Sequence, residues 1–263
     1  MGAFTPLSLG LFLSAGLLAG FIDSIAGGGG LITLPATLLM LGSGTAVAEA
    51  IGTNKVAAIF AAAVALVVYI RAGHFDWRKS LTFSASIGVG AFFGSLVGRF
   101  LSPQIFKFLM VVTCPIIVWV VWNKEFWVSR ELEEHRRART SKERGRALSM
   151  VILSGMLCGF YDGVWGPGGG TFMLLSLIFF AKLPLLTALA VSKFANTTSA
   201  ATALATYASG GYVHWRLGLC LGATVSIGAL LGARLATKAA SRIVRPVLIF
   251  VVGLLVVKMV YSN

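Results

Sequence analysis

The chain repeats itself, and the repeat constrains its fold more than any other feature. Gly20-Phe21-Ile22-Asp23, followed by Gly27 to Gly30, returns as Gly159-Phe160-Tyr161-Asp162, followed by Gly166-Pro167-Gly168-Gly169-Gly170. The copies stand 139 residues apart, and from Lys55 onward they run in step at 138. Lys55 then matches Lys193, Tyr69 matches Tyr207, Gly73 matches Gly211, and Trp77-Arg78 matches Trp215-Arg216. Gly90 and Gly94 match Gly228 and Gly232. Two such halves make the same local structure and fit together as related units.

Composition places those units in a membrane. The chain is 57% hydrophobic and 12% charged, whereas a soluble domain carries about 25% charged residues. Its apolar runs are bounded by short loops and show no alternating strands of about ten residues, so the expected fold is an all-α polytopic membrane protein rather than a barrel. A soluble enzyme is excluded, and no nucleophile–base pair at motif spacing points to an enzyme within the membrane. The net charge of +13 fits basic residues held in cytoplasmic loops of a bacterial inner-membrane protein. It forms no basic stripe interleaved with aromatics, so membrane lipid and not nucleic acid is the expected partner. No charged side chain precedes Asp23, so a positive signal-peptide region is missing and the first helix is expected to be retained. Cys114, Cys158 and Cys220 stand alone, and His74, His135 and His214 form no set. Neither metal nor cofactor is expected. Cys158 is read as a packed thiol, with contact to a sulfur substrate as the alternative.

Five apolar segments recur in each half: 7–26, 31–42, 46–71, 81–100 and 104–122, then 148–165, 171–181, 184–209, 217–237 and 243–261. The chain divides into a first transmembrane repeat (1–122), a charged linker with some helix (123–147) and a second repeat (148–263). A second segment of a dozen residues reaches about 18 Å, short of a hydrocarbon core of about 30 Å. Each is therefore read as one arm of a broken helix or hairpin with a glycine-rich tip inside the membrane, followed by three long transmembrane helices. Whether the first two segments both cross or turn back together is left open. Either way the halves are inverted, and with the linker inside, fifteen Lys and Arg lie in inside loops against three outside. The parallel arrangement gives twelve against six. The positive-inside rule selects inverted repeats and a cytoplasmic linker.

The candidate site lies between the repeats, where transporters built from inverted repeats hold substrate. Lys55 and Lys193 sit about 13–14 Å into their helices, near the midplane, where a lysine costs about 2.5–3.5 kcal/mol to insert. They are read as anion ligands, with a structural pair to Asp23 or Asp162 as the alternative. Gly28, Gly29 and Gly30, and Gly168, Gly169 and Gly170, precede the short helices and offer backbone N–H groups and a positive dipole end to an anion. Pro167 stands where the first loop has Gly28, so the loops need not bind alike. Asp23 and Asp162 cap the broken helices, pair with the lysines or carry a coupled proton. Asn54, Ser192 and Asn196 flank the lysines and can hydrogen-bond oxyanions, as can Thr197 and Thr198. The Gly90, Gly94, Gly98 and Gly228, Gly232, Ala236 series are read as packing between helices of one chain, with a dimer seam as the alternative. The assembly is therefore a monomer or a homodimer.

These motifs carry a resemblance. Residues 20–30, Gly-Thr-Asn-Lys at 52–55, Gly-Phe-Tyr-Asp-Gly at 159–163 and Ser-Lys-Phe-Ala-Asn-Thr-Thr-Ser at 192–199 resemble the TauE/SafE sulfite exporter family over nearly the whole chain. The resemblance implies transport of a small sulfur-containing oxyanion, sulfite first and sulfonates next. Export by a proton-coupled secondary transporter is the expected mode, and a passive anion channel is the alternative.

Overall fold

The computed structural model describes residues 6–42, 44–105, 108, 109, 112 and 141–261, with the side chains of Leu7, 141–144 and 239–261 left aside. Eight helices have defined bounds, and the described residues 103–105, 108, 109 and 112 are helical as well. The eight are α1 (Pro6–Ala26), α2 (Gly30–Leu41), α3 (Val47–Arg71), α4 (Trp77–Gly98), α5 (Ser141–Val164), α6 (Gly169–Phe179), α7 (Leu185–Ser209) and α8 (Trp215–Tyr261). No strand occurs among the described residues. Five of these helices contain a stretch long and apolar enough to cross a membrane. Helix α7 has the length but not the hydropathy, because Ser192, Lys193, Asn196, Thr197, Thr198 and Ser199 crowd its middle. Those polar groups are tolerable there because α7 lies against α3, α4, α5 and α6.

Helix α5 is described from Ser141 onward, so its first residues are helix within the charged linker, as expected. Most of that linker, and most of segment 104–122 with Cys114 and His135, lie outside the described residues. Segments 217–237 and 243–261 are not separate helices: α8 runs unbroken through both. The polar stretch from Lys238 to Arg245 looks like a loop between spans, yet it holds no glycine and its Ala, Lys and Arg residues favour helix.

The principal packings come in twin pairs. Helix α1 lies on α8 and α5 on α4, so the first helix of each half packs on the fourth of the other, while α3 and α7 pack together between them. Glycine makes these seams close. A Cβ on Gly228 would fall 2.0 Å from the Leu17 carbonyl oxygen, and one on Gly90 would fall 2.1 Å from that of Met156. The small-residue series thus join helices of one chain at backbone contact, with Gly20 and Gly159 answering from the opposite side.

Helices α1 and α5 both stop at a glycine. Gly27 (φ +75°) and Gly166 (φ +102°) take left-handed conformations that a side chain would strain. The Gly27 N–H closes the last turn of α1 on the Asp23 carbonyl at 2.8 Å, and the chain restarts as α2 and α6 after two more residues. The two breaks meet. The Thr171 hydroxyl donates to the Ala26 carbonyl at 3.0 Å, and a Cβ on Gly27 would lie 2.4 Å from the Gly170 carbonyl carbon.

Candidate functional site

The two deep lysines are both ion-paired, each with the aspartate of the opposite half. Lys55 Nζ lies 2.8 Å from Asp162 Oδ2, and Lys193 Nζ lies 2.7 Å from Asp23 Oδ2. Each ammonium also donates to the backbone carbonyl of the same aspartate. Those carbonyls belong to the last turns of α5 and α1, so each cation rests on the negative end of a helix dipole. The carboxylates turn the other way: Asp23 Oδ1 accepts the Gly29 N–H at 3.3 Å, beside the start of α2. A Cβ on Gly169 would fall 2.5 Å from Asp162 Oδ1, which places that carboxylate against the start of α6. Ser199 adds a hydrogen bond to Asp162 Oδ2 at 2.6 Å. All four charges are thus matched twice, once by a partner and once by a helix end. That is what makes them tolerable at side-chain exposures of 4% and 5% in one pair and 1% and 12% in the other.

The third helices fasten both breaks. From α3, Lys55 reaches the break of the second half while Tyr69 donates to the Ser24 carbonyl of the first at 2.8 Å. From α7, Lys193 reaches the first half while Tyr207 donates to the Gly163 carbonyl of the second at 3.1 Å. The tyrosines were visible as twins in the sequence, but their use as clamps was not foreseen. Ser199 closes the 192–199 motif and Thr171 follows the second glycine run, but neither contact was foreseen.

A cavity opens where the breaks meet. Its volume of about 40 Å³ compares with the roughly 10–15 Å³ that one ordered water needs on the same measure. Among the expected site residues, the first loop contributes Gly28, Gly29 and Gly30 to its lining, and the second contributes Gly168 and Gly170. Asp23, Asn54, Lys55, Asp162 and Asn196 complete the expected set, Gly27 and Gly166 join it from the same glycine runs, and Thr33 is the unforeseen member. Lys193, Ser192 and Gly169 do not line the cavity. Lys193 is occluded behind Asp23, and the Ser192 hydroxyl is spent on the Leu189 carbonyl at 2.8 Å. The halves are therefore alike in sequence and unlike in access. Lys55 has three N–H donors and uses two on Asp162, so one remains for a ligand. Cys158 lies 3.4 Å from the Ser176 hydroxyl and takes no part in the lining. His214 sits 2.5 Å from Glu49 at the N-terminal end of α3, away from the breaks. No cluster of metal-ligating side chains occurs among the described residues.

Apolar spanning helices, paired helix breaks and a buried polar cavity between them define a multi-pass α-helical membrane protein of transporter type. The chain belongs to the sulfite exporter TauE/SafE family, whose model matches residues 12–259. It is 32% identical over 241 residues to the probable membrane transporter protein ORF9 of a Sinorhizobium species, covering 92% of this chain and 87% of that one. It is 31% identical over 265 residues to the probable membrane transporter protein YfcA of Escherichia coli K12, covering 98% and 92%. A probable membrane transporter protein of Haemophilus influenzae is 31% identical over 255 residues, covering 97% and 95%. No solved structure matches the chain.

Proposed function

We propose that the chain is a secondary transporter that exports a small sulfur-containing oxyanion, sulfite before sulfonates, across the bacterial inner membrane. The observation that carries this reading is the cavity between the two glycine tips, lined by Lys55, whose ammonium has two bonds to Asp162 and one N–H left to donate. A compact oxyanion suits it, since its several oxygens can accept from Lys55, from the amides of Asn54 and Asn196, and from backbone N–H groups of the tips. Lys193 serves the same site at one remove, by holding Asp23 against the first tip. Asp23 or Asp162 carries the coupled proton, since protonation releases the paired lysine and loosens a helix break. The halves are inverted repeats, with the linker in the cytoplasm. The distribution of Lys and Arg supports this arrangement, as does the twin packing of α1 on α8 and α5 on α4.

Flux into proteoliposomes tests the proposal, with sulfite, sulfate, thiosulfate and methanesulfonate compared with and without a pH gradient. Saturable sulfite flux driven by the gradient is the expected result. Flux that never saturates and ignores the gradient makes the protein a passive channel, and absence of flux for every sulfur anion overturns the reading.

A further inference from the structure

The cavity contains more acid than its proposed cargo suggests. Lys55 lines it together with two carboxylates, Asp23 and Asp162, and Lys193 lies behind Asp23. Two ammonium groups against two carboxylates leave no net positive charge. Taking a dianion out of water into such a space has no uncompensated charge to repay it, and a monoanion faces a far smaller desolvation cost. A second observation points the same way. The carbonyl oxygen of Asn54 is buried and has no hydrogen-bond partner among the described residues, in a residue that is 6% exposed and lines the cavity. A buried acceptor that has given up water without gaining a donor is destabilising until a donor arrives. Sulfite and sulfate dianions have acceptors only. Whichever way its amide is turned, Asn54 presents one acceptor and one donor edge. That pair complements a ligand that carries both an acidic proton and an anionic oxygen.

Resting on the function proposed above, we infer that this site selects the protonated monoanion, hydrogensulfite, over the sulfite dianion, with Asn54 as the residue that receives its proton donor. The ionisable groups around the cavity are Asp23 of α1, Lys55 and Tyr69 of α3, Asp162 of α5, and Lys193 and Tyr207 of α7; none comes from the parts of α2, α6 and α8 that reach the cavity. Affinity for total sulfite is therefore read against that for methanesulfonate at each pH. Selection by charge state acts on sulfite alone, because methanesulfonate remains a monoanion without a donor, and sulfate a dianion, across neutral pH.

The experiment is calorimetric titration of the full-length protein in detergent with sulfite, methanesulfonate and sulfate at several pH values on both sides of sulfite's second ionisation. Affinity for total sulfite, divided by that for methanesulfonate, falls about tenfold per pH unit above that ionisation, and sulfate binds weakest throughout. Asn54→Ala weakens both ligands through the lost amide donor, but lowers sulfite affinity several-fold more than methanesulfonate affinity because only hydrogensulfite also loses an acceptor, a difference that misfolding cannot produce. Asn54→Ser, which retains a hydroxyl acceptor, recovers part of the loss. A pH-independent ratio, or sulfate bound as tightly as sulfite, overturns the inference while leaving sulfur-anion transport intact. Failure to bind any of the three anions overturns both.

Discussion

Lys193 reaches across from the second half of the chain and places its ammonium 2.7 Å from the carboxylate of Asp23 in the first, while Lys55 makes the reciprocal contact with Asp162 at 2.8 Å. The two halves are locked by exchanged charges at the points where their helices break. The lysine at each break is therefore structural, and of the two only Lys55 lines the cavity. Each holds its tip in place, and Lys55 also has an N–H to offer.

Removing one partner of a buried pair strands the other. Asp162→Asn or Lys55→Met alone is expected to cost about 3–5 kcal/mol, and the double variant much less than the sum of the two. Thermal unfolding in detergent, arranged as a double-mutant cycle, measures the coupling. Additive losses would mean that the 2.8 Å contact does not hold the fold.

The tyrosine clamps provide an independent measure of the breaks. Tyr69→Phe leaves the Ser24 carbonyl without that donor, and Tyr207→Phe does the same at Gly163. Each is expected to cost about 1–3 kcal/mol in the same unfolding assay, because the carbonyls are buried beside the end of a helix. A loss below a few tenths at both sites would mean that water replaces the hydroxyls and that the breaks are wetter than described.

The glycine seams should be intolerant in twin fashion. Gly90→Ala and Gly228→Ala put a methyl about 2 Å from an opposing carbonyl oxygen, so each is expected to destabilise by about 1–3 kcal/mol or more. Gly10→Ala meets nothing within 4 Å and serves as the tolerated control. Size-exclusion profiles and unfolding of the three variants settle the comparison.

The proposed inverted repeats place the N-terminus in the periplasm. A single cysteine at Ser8, introduced after removal of the native cysteines, should react with an impermeant maleimide from outside. Labelling from the cytoplasmic face alone contradicts the inversion.

Much of this architecture was legible in the sequence because a duplicated motif reports its own significance. The lysines stood out by depth, the glycine runs by coming before segments too short to span, and the Gly90 and Gly228 series by their spacing. The pairing was not legible: either aspartate could satisfy either lysine, and only the interlocking of α1 with α8 and α5 with α4 assigns Asp162 to Lys55. Nor was the unequal access. Lys55 and Lys193 are equivalent by position, and the sequence difference noted between their loops is Pro167 in place of Gly28. Tyr69 and Tyr207 were equivalent twins too, but a tyrosine in a long apolar helix has many ordinary uses, and its partner carbonyl is invisible until the break is built. The uninterrupted α8 escaped notice because charge between two apolar runs marks a loop in most membrane chains, whereas Lys238 to Arg245 simply continues the helix.

The central claim is that an anion binds in the cavity beside Lys55. Lys55→Met alone confounds that claim with a stranded carboxylate, so the decisive protein is the double variant Lys55→Met with Asp162→Asn, which removes the pair and leaves no unmatched charge. Sulfite affinity should be measured by calorimetry on this variant and the parent, both folded and monodisperse. The account predicts a loss of ten- to a hundredfold, the equivalent of one charge-assisted contact of about 1.5–3 kcal/mol. Parental affinity in the double variant would contradict it.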